Sequence, residues 1–326
     1  MKVLVLGGAG YIGSHMCKML SQQGHDVVVF DNLSTGHAES VQWGPLIEGD
    51  ILNVSELENL FDDHGPFNLV MHFCAKSLVG ESVQQPDSYY RNNVVGTLNL
   101  LDTMVKTSHN KLVFSSTAAV FGVPKVDFID ENQPRLPINP YGQSKKIIED
   151  ILKDYHHAYG LKSLCLRYFN ACGADPDGDI GERHEPETHL IPNVLKSALN
   201  ENNANLKLFG NNYPTIDGTC VRDYIHINDL ASAHLLAGQY LQKNDGAFAF
   251  NLGNGNGFSV LEVIKAAEEV VGRDIPFDIE EPRSGDPAIL VADSSLATKE
   301  LGWHPQYQNM KEIIASAWQW HQNEKF

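Results

Sequence analysis

The sequence predicts an α/β fold, a Rossmann-type doubly wound parallel sheet with a smaller C-terminal α/β substrate-binding lobe. Three observations predict it. Short apolar segments alternate with amphipathic segments over roughly the first 170 residues, which is typical of parallel strands joined by helical crossovers. The first apolar segment runs directly into a glycine cluster that begins a helix. Beyond residue 170, Gly, Pro, Asp and Asn become frequent at 174–187 and 210–219, which predicts loops and a second region.

The predicted elements follow from hydrophobic periodicity. Near-continuous apolar runs indicate strands that are covered on both faces, and these are residues 2–6, 26–30, 45–48, 69–73, 111–115 and 163–168. Amphipathic spacing predicts helices at 11–23, 54–63, 88–106 and 141–159, then shorter ones near 191–199, 260–271 and 310–321. We expect a dinucleotide-binding domain at 1–170 and a substrate lobe at 171–326, with the chain crossing between them more than once.

Charge and cysteine content restrict the partners and the compartment. The 326 residues contain 24 Lys and Arg against 41 Asp and Glu, a formal charge of −17, which argues against nucleic acid and anionic membranes as partners. The apolar start, 1–6, is too short for a signal peptide or a membrane span. The five cysteines show no paired spacing, so we expect reduced thiols in a cytoplasmic protein.

The glycine cluster that follows the first strand has the spacing of a phosphate-binding turn. Gly7, Gly8, Gly10 and Gly13 satisfy both G-x-x-G-x-x-G and, counted from Gly8, G-x-G-x-x-G. Glycine permits the tight turn and lets backbone N–H groups approach a pyrophosphate at a helix N-terminus. Glycine spacing alone is also compatible with a turn that binds nothing.

A carboxylate at the end of the second strand supports a dinucleotide. Asp31 lies 18 residues beyond Gly13, where a carboxylate can bond both ribose hydroxyls. Residues 32–36 contain no Arg or Lys for a 2′-phosphate, so NAD is favoured over NADP. Asp50 and Ile51, after the third strand, are candidates for the adenine edge, although Asp50 could equally cap a helix.

A Tyr and a Lys four residues apart form the candidate chemical centre. Tyr141 and Lys145 project from one face of a predicted helix. To act as a base near neutral pH, a phenol must lose about 4 kcal/mol of proton affinity, and an ammonium at about 4 Å can supply roughly that much. Burial opposes this change, so a cationic nicotinamide is also needed. Thr117, at the carboxyl end of the fifth strand, offers a hydroxyl for proton relay; taken singly, it could be a strand-end cap.

These residues together resemble the extended short-chain dehydrogenase/reductase group, and longer motifs are similar to the UDP-glucose 4-epimerases within it. The similarity covers nearly the whole chain. Its motifs are H-F at 72–73, V-G-E-S at 79–82, Tyr90 with N-N-V at 92–94, R-Y-F-N at 167–170, Y-P-T at 213–215, D-G-T at 217–219, V-R-D-Y-I-H at 221–226 and G-D-P-A at 285–288.

The resemblance implies a role for each matching residue. It implies Tyr141 as the base, Lys145 as its pKa partner and Thr117 as the hydroxyl relay. The implied NAD contacts are Gly7, Gly10, Tyr11, Ile12, Gly13, Asp31, Asn32, Asp50, Ile51, Phe73, Asn92, Tyr141, Lys145 and Phe169. The implied UDP-sugar contacts are Thr117, Asn170, His189, Leu190, Arg222, Arg283, Asp286 and Leu290. A forked guanidinium suits a pyrophosphate, although Arg222 and Arg283 could instead form salt bridges to Asp223 or Asp286.

Three positions depart from the family pattern. Thr117 stands where many relatives have Ser, which keeps the hydroxyl and adds a stiff methyl group. Ser77 stands where some have Lys, which removes one expected cofactor contact. His189 stands where some have Asn against the diphosphate.

The resemblance implies an isomerase of galactose and carbohydrate metabolism, which interconverts UDP-galactose and UDP-glucose through a 4-keto sugar with NAD kept bound. Relatives that dehydrate the sugar have Asp-Glu after the Thr, whereas Ala118 and Ala119 follow Thr117 here. Epimerisation of UDP-N-acetylglucosamine and UDP-N-acetylgalactosamine is the alternative, since Leu290 is intermediate in size at the position that borders the sugar 2-substituent. A non-catalytic NAD-binding regulator is less favoured because Tyr141 and Lys145 are both intact.

Two further expectations concern metals and assembly. His184 and His189 flank Glu185 and Glu187, but this spacing matches no established metal motif, so we expect a polar lid and no metal. The predicted helices at 88–106 and 141–159 are the expected contact of a homodimer.

Overall fold

The structure, a computed structural model, describes residues 1–199, 206–283 and 286–326. Gly285, which belongs to one of the family motifs, lies outside these ranges. The strands are β1 Lys2–Leu6, β2 Asp26–Asp31, β3 Leu46–Glu48, β4 Leu69–His72, β5 Lys111–Thr117, β6 Phe128–Ile129, β7 Lys162–Tyr168, β8 Asn170–Cys172, β9 Leu206–Phe209, β10 Val221–Arg222, β11 Tyr224–His226, β12 Ala247–Leu252, β13 Phe258–Ser259, β14 Phe277–Glu280 and β15 Ile289–Ala292.

The helices lie between these strands and at the C-terminus. They are α1 Tyr11–Gln22, α2 Val54–His64, α3 Val79–Gln84, α4 Pro86–Tyr89, α5 Gly96–Lys106, α6 Pro140–Tyr159, α7 Leu190–Leu199, α8 Ile227–Lys243, α9 Val260–Val271, α10 Ser295–Leu301 and α11 Met310–His321. A π-helical turn, Tyr90–Val95, joins α4 to α5, and short 3₁₀ turns occur at Ala38–Ser40 and Ala118–Phe121.

The main sheet has seven parallel strands in the described chain, in the order β12-β7-β5-β4-β1-β2-β3. The strand order reverses between β1 and β4, and both pair with each other in parallel. In open sheets of this kind, ligands bind at the carboxyl edge beside that reversal. The doubly wound α/β fold that the sequence predicts is therefore confirmed.

Two apolar layers cover the sheet because its strands are apolar on both faces. On one face, α1 and α8 pack with side chains such as Val3, Met71 and Leu230. On the other face, α2, α5 and α6 pack with side chains such as Leu4, Phe114 and Leu152. This packing fixes the carboxyl ends of β1, β2, β4, β5 and β7 at a common edge.

One strand and one helix of this layered unit come from beyond residue 170. β12 pairs in parallel with β7 along its whole length, and α8 covers the face that α1 also covers. Sequence reasoning predicted neither element. In β12, residues 247–252, A-F-A-F-N-L, alternate small and large side chains and give no continuous aliphatic run. The division at residue 170 remains a prediction, and these two elements lie outside its first range.

The predicted helix at 88–106 differs in the structure from a regular α-helix. It consists of α4, the π-helical turn and α5. The π-helical turn contains more residues than the 3.6 per turn on which the prediction of a regular helix was based. Asn92 and Asn93 lie within that turn. Single π-helical turns inside α-helices often occur at functional sites. The remaining predicted elements begin and end within two residues of the observed ones.

The rest of the chain builds the smaller lobe. A four-stranded sheet has the order β13-β10-β15-β6, so β6 from the first half of the chain pairs with β15 from the second half. Two-stranded sheets pair β11 with β8 and β14 with β9. Helices α7, α9 and α11 share a third apolar cluster with residues such as Leu195, Val263 and Ile313. Among the described helices, none combines the length and apolarity that crossing a bilayer requires.

Candidate active site

The glycine turn after β1 leaves no room for side chains. A Cβ on Gly7 would lie 2.7 Å from the Cys74 backbone nitrogen, and Gly7 has a φ of 80°. A Cβ on Gly13 would lie 2.1 Å from the Gly7 carbonyl oxygen. These contacts bring α1 close to β1 and to the end of β4, as a cradle for a pyrophosphate requires.

The N-terminus of α1 has backbone donors available for an anion. Gly10 is its N-cap, and no side chain of the described chain caps it; its first turn also contains no acidic residue. Tyr11, Ile12 and Gly13 therefore present first-turn N–H groups and a positive helix dipole to the carboxyl edge of the sheet. The Tyr11 side chain points elsewhere, since its hydroxyl donates a hydrogen bond to the Gly173 carbonyl at 2.6 Å.

Asp31 lies directly beside this turn. Its carboxylate accepts hydrogen bonds from the backbone nitrogens of Ala9 and Leu33, both at 2.9 Å. Burial raises its pKa, and these two hydrogen bonds act in the opposite direction. The second lone pairs of both oxygens remain for further donors, which suits two ribose hydroxyls.

The neighbouring predicted adenine contacts are linked to one another. Asn32 donates to Asp50 Oδ2 at 3.0 Å, and Asp50 Oδ1 accepts from the backbone nitrogen of Leu52 at 2.8 Å. Asp50 thus stabilises the turn before α2 but does not cap this helix, because the N-cap is Asn53, which accepts from the backbone nitrogens of Ser55 and Glu56. Ile51 is buried against Gly96, where a Cβ would lie 2.5 Å from the Ile51 Cδ1.

The segment after β4 is held by a residue that sequence reasoning missed. Asn93 is buried and exchanges hydrogen bonds with the Lys76 backbone at 2.9 and 3.0 Å. It also donates to Ser144 on α6 at 3.0 Å and accepts from Asn92 at 3.0 Å. The repeated Asn in N-N-V was the only signal available. The Phe73 ring contacts the His234 ring in a tilted arrangement, with centroids 4.9 Å apart, and Ser77 is exposed beside Lys76.

Close backbone packing places Tyr141 against Thr117. Asn139 caps α6 by accepting from the Gly142 nitrogen at 2.8 Å. A Cβ on Gly142 would lie 2.4 Å from the carbonyl oxygen of Ala119, in the 3₁₀ turn that Thr117 caps. The glycine therefore lets the start of α6 approach the end of β5, and a hydrogen bond forms between the Thr117 and Tyr141 side chains.

The electrostatics of Tyr141 differ in one respect from the sequence argument. Burial raises the pKa of Tyr141, and the hydrogen bond with Thr117 only partly opposes this. The net direction is upward, so the polypeptide alone does not make this phenol basic. A positive group bound beside the phenol has to supply the remaining stabilisation of the phenolate.

Lys145 is buried beneath the sheet edge. Its ammonium donates to the Ser115 carbonyl at 2.7 Å and lies 4.6 Å from the centre of the Phe114 ring. Burial lowers its pKa from 10.5 to about 8. Removing this ammonium from water to a position next to the carboxyl end of β5 therefore costs a large desolvation free energy.

A buried ion-pair network one turn beyond Lys145 was not predicted. Glu149 accepts from Ser116 at 2.6 Å and from Arg167 Nε and Nη2 at 2.9 and 2.6 Å. Arg135 adds a contact at 3.0 Å. The spacing Y-x-x-x-K-x-x-x-E places Glu149 on the same face of α6, which is a signal that could have found it.

Phe169 and Leu290 connect the sheet edge to the smaller lobe. Both pack against a cluster of Val120, Phe121 and Ile129, next to the 3₁₀ turn that follows Thr117. Leu290 also lies opposite Arg222 in the pairing of β10 with β15. The side chain of Asn170 donates to the Asp223 carbonyl at 2.9 Å.

Arg222 and Arg283 are held in different ways. Arg222 forms a salt bridge with Asp286 at 2.6 Å and donates to the carbonyls of Val221 and Pro287, both at 2.8 Å. The salt bridge is one of those that the sequence left open. Arg283 is exposed, and its guanidinium lies 4.1 Å from the centre of the Phe209 ring.

Asp223, adjacent to Arg222, is a buried structural anchor that sequence reasoning considered only as a salt-bridge partner. Its carboxylate accepts from the backbone nitrogens of Asn254, Gly255 and Ala292 at 2.6, 3.0 and 3.1 Å. These bonds fix β10 against β15 and the segment after β12. They thereby position Arg222.

His189 and Leu190 lie at the start of α7. The His189 ring hydrogen-bonds to Glu182, and its backbone nitrogen donates to Glu187 at 2.8 Å. Although burial acts to lower it, the Glu182 carboxylate raises the pKa of His189. Glu182 did not figure in the sequence analysis, whereas Glu185, which did, is exposed and 3.5 Å from Arg183.

The fold and the site together define an NAD-binding enzyme of the doubly wound class, with a Tyr and a Lys at the carboxyl edge of its sheet. The family model described as the NAD dependent epimerase/dehydratase family matches residues 3–253. The chain belongs to this family, and its cofactor is NAD.

Close relatives extend the similarity over the full chain. The UDP-glucose 4-epimerase of Halalkalibacterium halodurans is 50% identical over 321 residues, which are 98% of this chain and 96% of that protein. The crystal structure of UDP-glucose 4-epimerase from Brucella ovis in complex with NAD has a TM-score of 0.94 at 48% identity, with 97% of each chain covered. The Bifidobacterium longum enzyme in complex with NAD+ and UDP has a TM-score of 0.94 at 39% identity, with 99% of each chain covered.

Proposed function

We propose that the protein is a UDP-glucose 4-epimerase that interconverts UDP-galactose and UDP-glucose. The observation that carries the proposal is the grouping of buried Thr117 and Lys145 with half-buried Tyr141 at the carboxyl edge of the sheet, beside a glycine turn and Asp31 that suit NAD. Full-length similarity to UDP-glucose 4-epimerases supports the substrate.

The geometry supports a set of residues that would hold the cofactor. The N–H groups of Tyr11, Ile12 and Gly13 face the pyrophosphate, and Asp31 accepts the adenosine ribose hydroxyls. Asn32, Asp50 and Ile51 border the adenine, whereas Phe73, Asn92, Lys145 and Phe169 border the nicotinamide half. Bound NAD would supply a hydride acceptor and donor for sugar carbon 4 and a positive ring that would stabilise the Tyr141 phenolate.

The catalytic residues move one proton. Tyr141 takes the proton of the sugar 4-hydroxyl, through or beside the Thr117 hydroxyl, and returns it to the same oxygen when hydride is delivered to the other face of carbon 4. Lys145 adds positive charge near the site while its own bond to the Ser115 carbonyl holds its position. Glu149 and Arg167 act on this centre through α6 and β7 as positioning residues.

The nucleotide is held firmly so that the sugar can turn. Asn170, His189, Leu190, Arg222, Arg283 and Asp286 bind the UDP, and Leu290 borders the sugar. Binding energy from the unreactive nucleotide keeps the keto sugar in the site while its two faces exchange.

The decisive experiment is to incubate the purified protein with UDP-galactose, without added cofactor, and to measure UDP-glucose. We expect conversion to proceed because NAD is regenerated in each cycle and remains bound. An absorbance spectrum of the purified protein reports whether nucleotide is retained. Absence of conversion both without and with added NAD would contradict the proposed function.

We further propose that the enzyme works as a cytoplasmic homodimer. Its free cysteines suit a reducing compartment. Val95, at the end of the π-helical turn, and Tyr159, at the end of α6, are 45% and 60% exposed, and Tyr155 on α6 bonds to Asp102 on α5. This pair of helices offers an apolar face for a two-fold contact.

The mass of the protein in solution tests the dimer. Val95→Glu is expected to shift a dimer toward monomer because a charge enters the apolar contact. Val126→Glu is the matched control, since Val126 is 39% exposed and outside both helices. A monomeric wild type would contradict the dimer without affecting the proposed reaction.

A further inference from the structure

We propose that Glu182, His184, Glu187 and His189 bind a Zn²⁺ ion, at a site that shares His189 with the proposed UDP contacts and contains no residue of the proton transfer. These residues lie in the segment between β8 and α7. One ligand atom from each of them lies within 4.8 Å of all the others. Two imidazoles and two carboxylates make a mixed nitrogen and oxygen set of the kind that zinc takes in proteins.

Three separations between candidate ligand atoms, counting either oxygen of Glu187, are close to the edge of a tetrahedral site. His184 Nδ1 lies 3.3 Å from Glu182 Oε1 and 3.6 Å from Glu187 Oε2. His189 Nδ1 lies 3.7 Å from Glu187 Oε1. Zinc bonds to nitrogen and oxygen of about 2.0–2.2 Å give tetrahedral edges of about 3.4 Å. The remaining contact, between His189 and Glu182, is a direct hydrogen bond, which the ion replaces.

Burial supplies a second, independent reason for an ion. The side chains of Glu182 and Glu187 are only 3% and 5% exposed. Within the described chain, Glu187 Oε2 and His184 Nδ1 are buried and have no hydrogen-bond partner. These two atoms lie 3.6 Å apart without hydrogen-bond geometry, so a divalent ion bound to both would satisfy a buried oxygen and a buried ring nitrogen at once.

A neighbouring acidic cluster shows how this protein otherwise neutralises such a group. Asp175, Asp177 and Asp179 surround the Lys18 ammonium at 2.6, 2.8 and 2.9 Å. An amino group of the chain already occupies the centre of that cluster, so it offers no metal site. The acidic cluster is neutralised by an ammonium. The other group, Glu182, His184, Glu187 and His189, contains no ammonium, and its ring nitrogens can serve as metal ligands.

Charge and ligand type favour zinc over the alkaline-earth ions. Two carboxylates balance the charge of one divalent ion when both imidazoles bind as neutral ligands. Calcium and magnesium prefer oxygen ligands and higher coordination numbers, whereas imidazole is well suited to zinc. The side chain of His189 is 52% exposed, which gives the ion a path from solvent.

The ion would stiffen the segment that carries the start of α7. The carbonyl of Glu182 accepts from the Trp320 indole on α11 at 3.1 Å, and the His184 ring meets the Tyr11 ring edge-on at a centroid distance of 6.3 Å. A metal here therefore connects the segment to α1 and α11. Because it binds the folded chain, saturating Zn²⁺ is expected to raise the melting temperature.

The test uses full-length protein without a polyhistidine tag, treated with chelator and then titrated with ZnCl₂. We expect one Zn²⁺ per chain by calorimetry and elemental analysis, and visible bands of a tetrahedral ion when Co²⁺ replaces it. His184→Gln and Glu187→Gln are expected to lose this ion and the rise in melting temperature. His304→Gln, an exposed histidine outside the segment, is expected to retain both.

Two results would overturn the zinc site. One is the absence of stoichiometric Zn²⁺ binding by the wild type, and the other is equal binding by all variants. Circular dichroism and NAD content show that the variants fold, so a loss of binding reports the ligands themselves. Because His189 is also a proposed UDP contact, the zinc site is judged by metal binding alone, and the proposed function by conversion of UDP-galactose in both the metal-free and the zinc-loaded protein.

Discussion

At the scale of single residues, the site concentrates buried polar groups where the sheet ends. Lys145 is 2% exposed and Thr117 is 8% exposed. Burial raises the free energy of a charged group at this position, which is unfavourable in the free protein. The same exclusion of water strengthens electrostatic stabilisation once a cationic cofactor and an anionic transition state are present. The predictions for individual side chains follow from this balance.

Replacement of Tyr141 by Phe removes the group that exchanges the proton. We expect turnover of UDP-galactose to fall by about 10²- to 10⁴-fold, the usual contribution of a positioned acid–base group, with UDP affinity nearly unchanged. Steady-state kinetics and calorimetry with UDP measure the two quantities. Tyr155→Phe, the same change on the same helix, is the matched control and should keep full turnover.

Replacement of Lys145 by Met tests the cost of burying its charge. The folded-state pKa of about 8 lies below the unfolded value of 10.5, so the unfolded chain holds more protons between these values. The free energy of unfolding of the wild type, measured relative to that of the variant, therefore rises with pH in that window, by about 1 kcal/mol from pH 7 to pH 9.

Denaturant unfolding of nucleotide-free wild type and Lys145→Met at several pH values measures this difference. A stability difference that stays constant from pH 7 to pH 9 would show that the ammonium is not desolvated in the folded protein. The variant should also lose most of its turnover at every pH.

Replacement of Leu290 by Tyr tests the breadth of substrates. Leu290 is half-buried against the Val120, Phe121 and Ile129 cluster, so a larger ring is expected to narrow the pocket beside the sugar 2-substituent. We expect turnover of UDP-N-acetylgalactosamine to fall at least about tenfold more than that of UDP-galactose. An equal fall for both substrates would argue that Leu290 does not border that substituent.

At the scale of elements, close approaches of backbone decide whether the site forms. The start of α1 contacts β1 through Gly13, and the start of α6 contacts the 3₁₀ turn through Gly142. Glycine spacing predicted the first approach. The second was not predicted, because Gly142 has meaning only once α6 and β5 are known to meet.

Replacement of Gly13 by Ala is expected to destabilise the protein by about 1–3 kcal/mol or more, because the new methyl group meets the backbone of Gly7 rather than a flexible side chain. NAD retention should fall as well. Gly80→Ala is the control, since no atom lies within 4 Å of its Cβ position. Thermal unfolding and absorbance of the purified variants measure both effects; an unchanged Gly13→Ala variant would contradict the tight turn.

The sequence was sufficient for the elements with strong local signals and insufficient for those set by distant contacts. The strands of the first half have apolar runs that predict buried parallel strands, and all of them are present. Arg222 is an example of a residue whose contacts could not be predicted from local sequence. Its pattern predicted a diphosphate ligand or a salt bridge, and only the fold shows the bond to Asp286 and the anchoring by Asp223. Glu182 likewise has no sequence signal that distinguishes it from Glu185.

At the scale of the whole molecule, the two halves of the chain depend on each other. β12 completes the main sheet, α8 covers one of its faces, and β6 supplies an edge strand to the smaller sheet. Tyr11 and Lys18 on α1 add contacts to residues 173 and 175. The ranges on the two sides of residue 170 therefore share the main sheet, and we expect that they do not fold independently.

A fragment of residues 1–170 is expected to lack a cooperative unfolding transition and to bind no NAD, because β7 would have an open edge and α1 would lose the packing of α8. Co-expression of residues 171–326 is expected to restore both properties. Circular dichroism and NAD titration measure them. A fragment that melts cooperatively and binds NAD alone would contradict this dependence.

The place of β12 in the sheet has a consequence for biosynthesis. A ribosome has to release residue 252 before the edge of β7 can find its partner, so the nascent chain carries an unpaired apolar strand edge through much of translation. Such edges recruit chaperones or other nascent chains. The yield of soluble enzyme should therefore respond to elongation speed and to chaperone supply more strongly than its final stability would suggest.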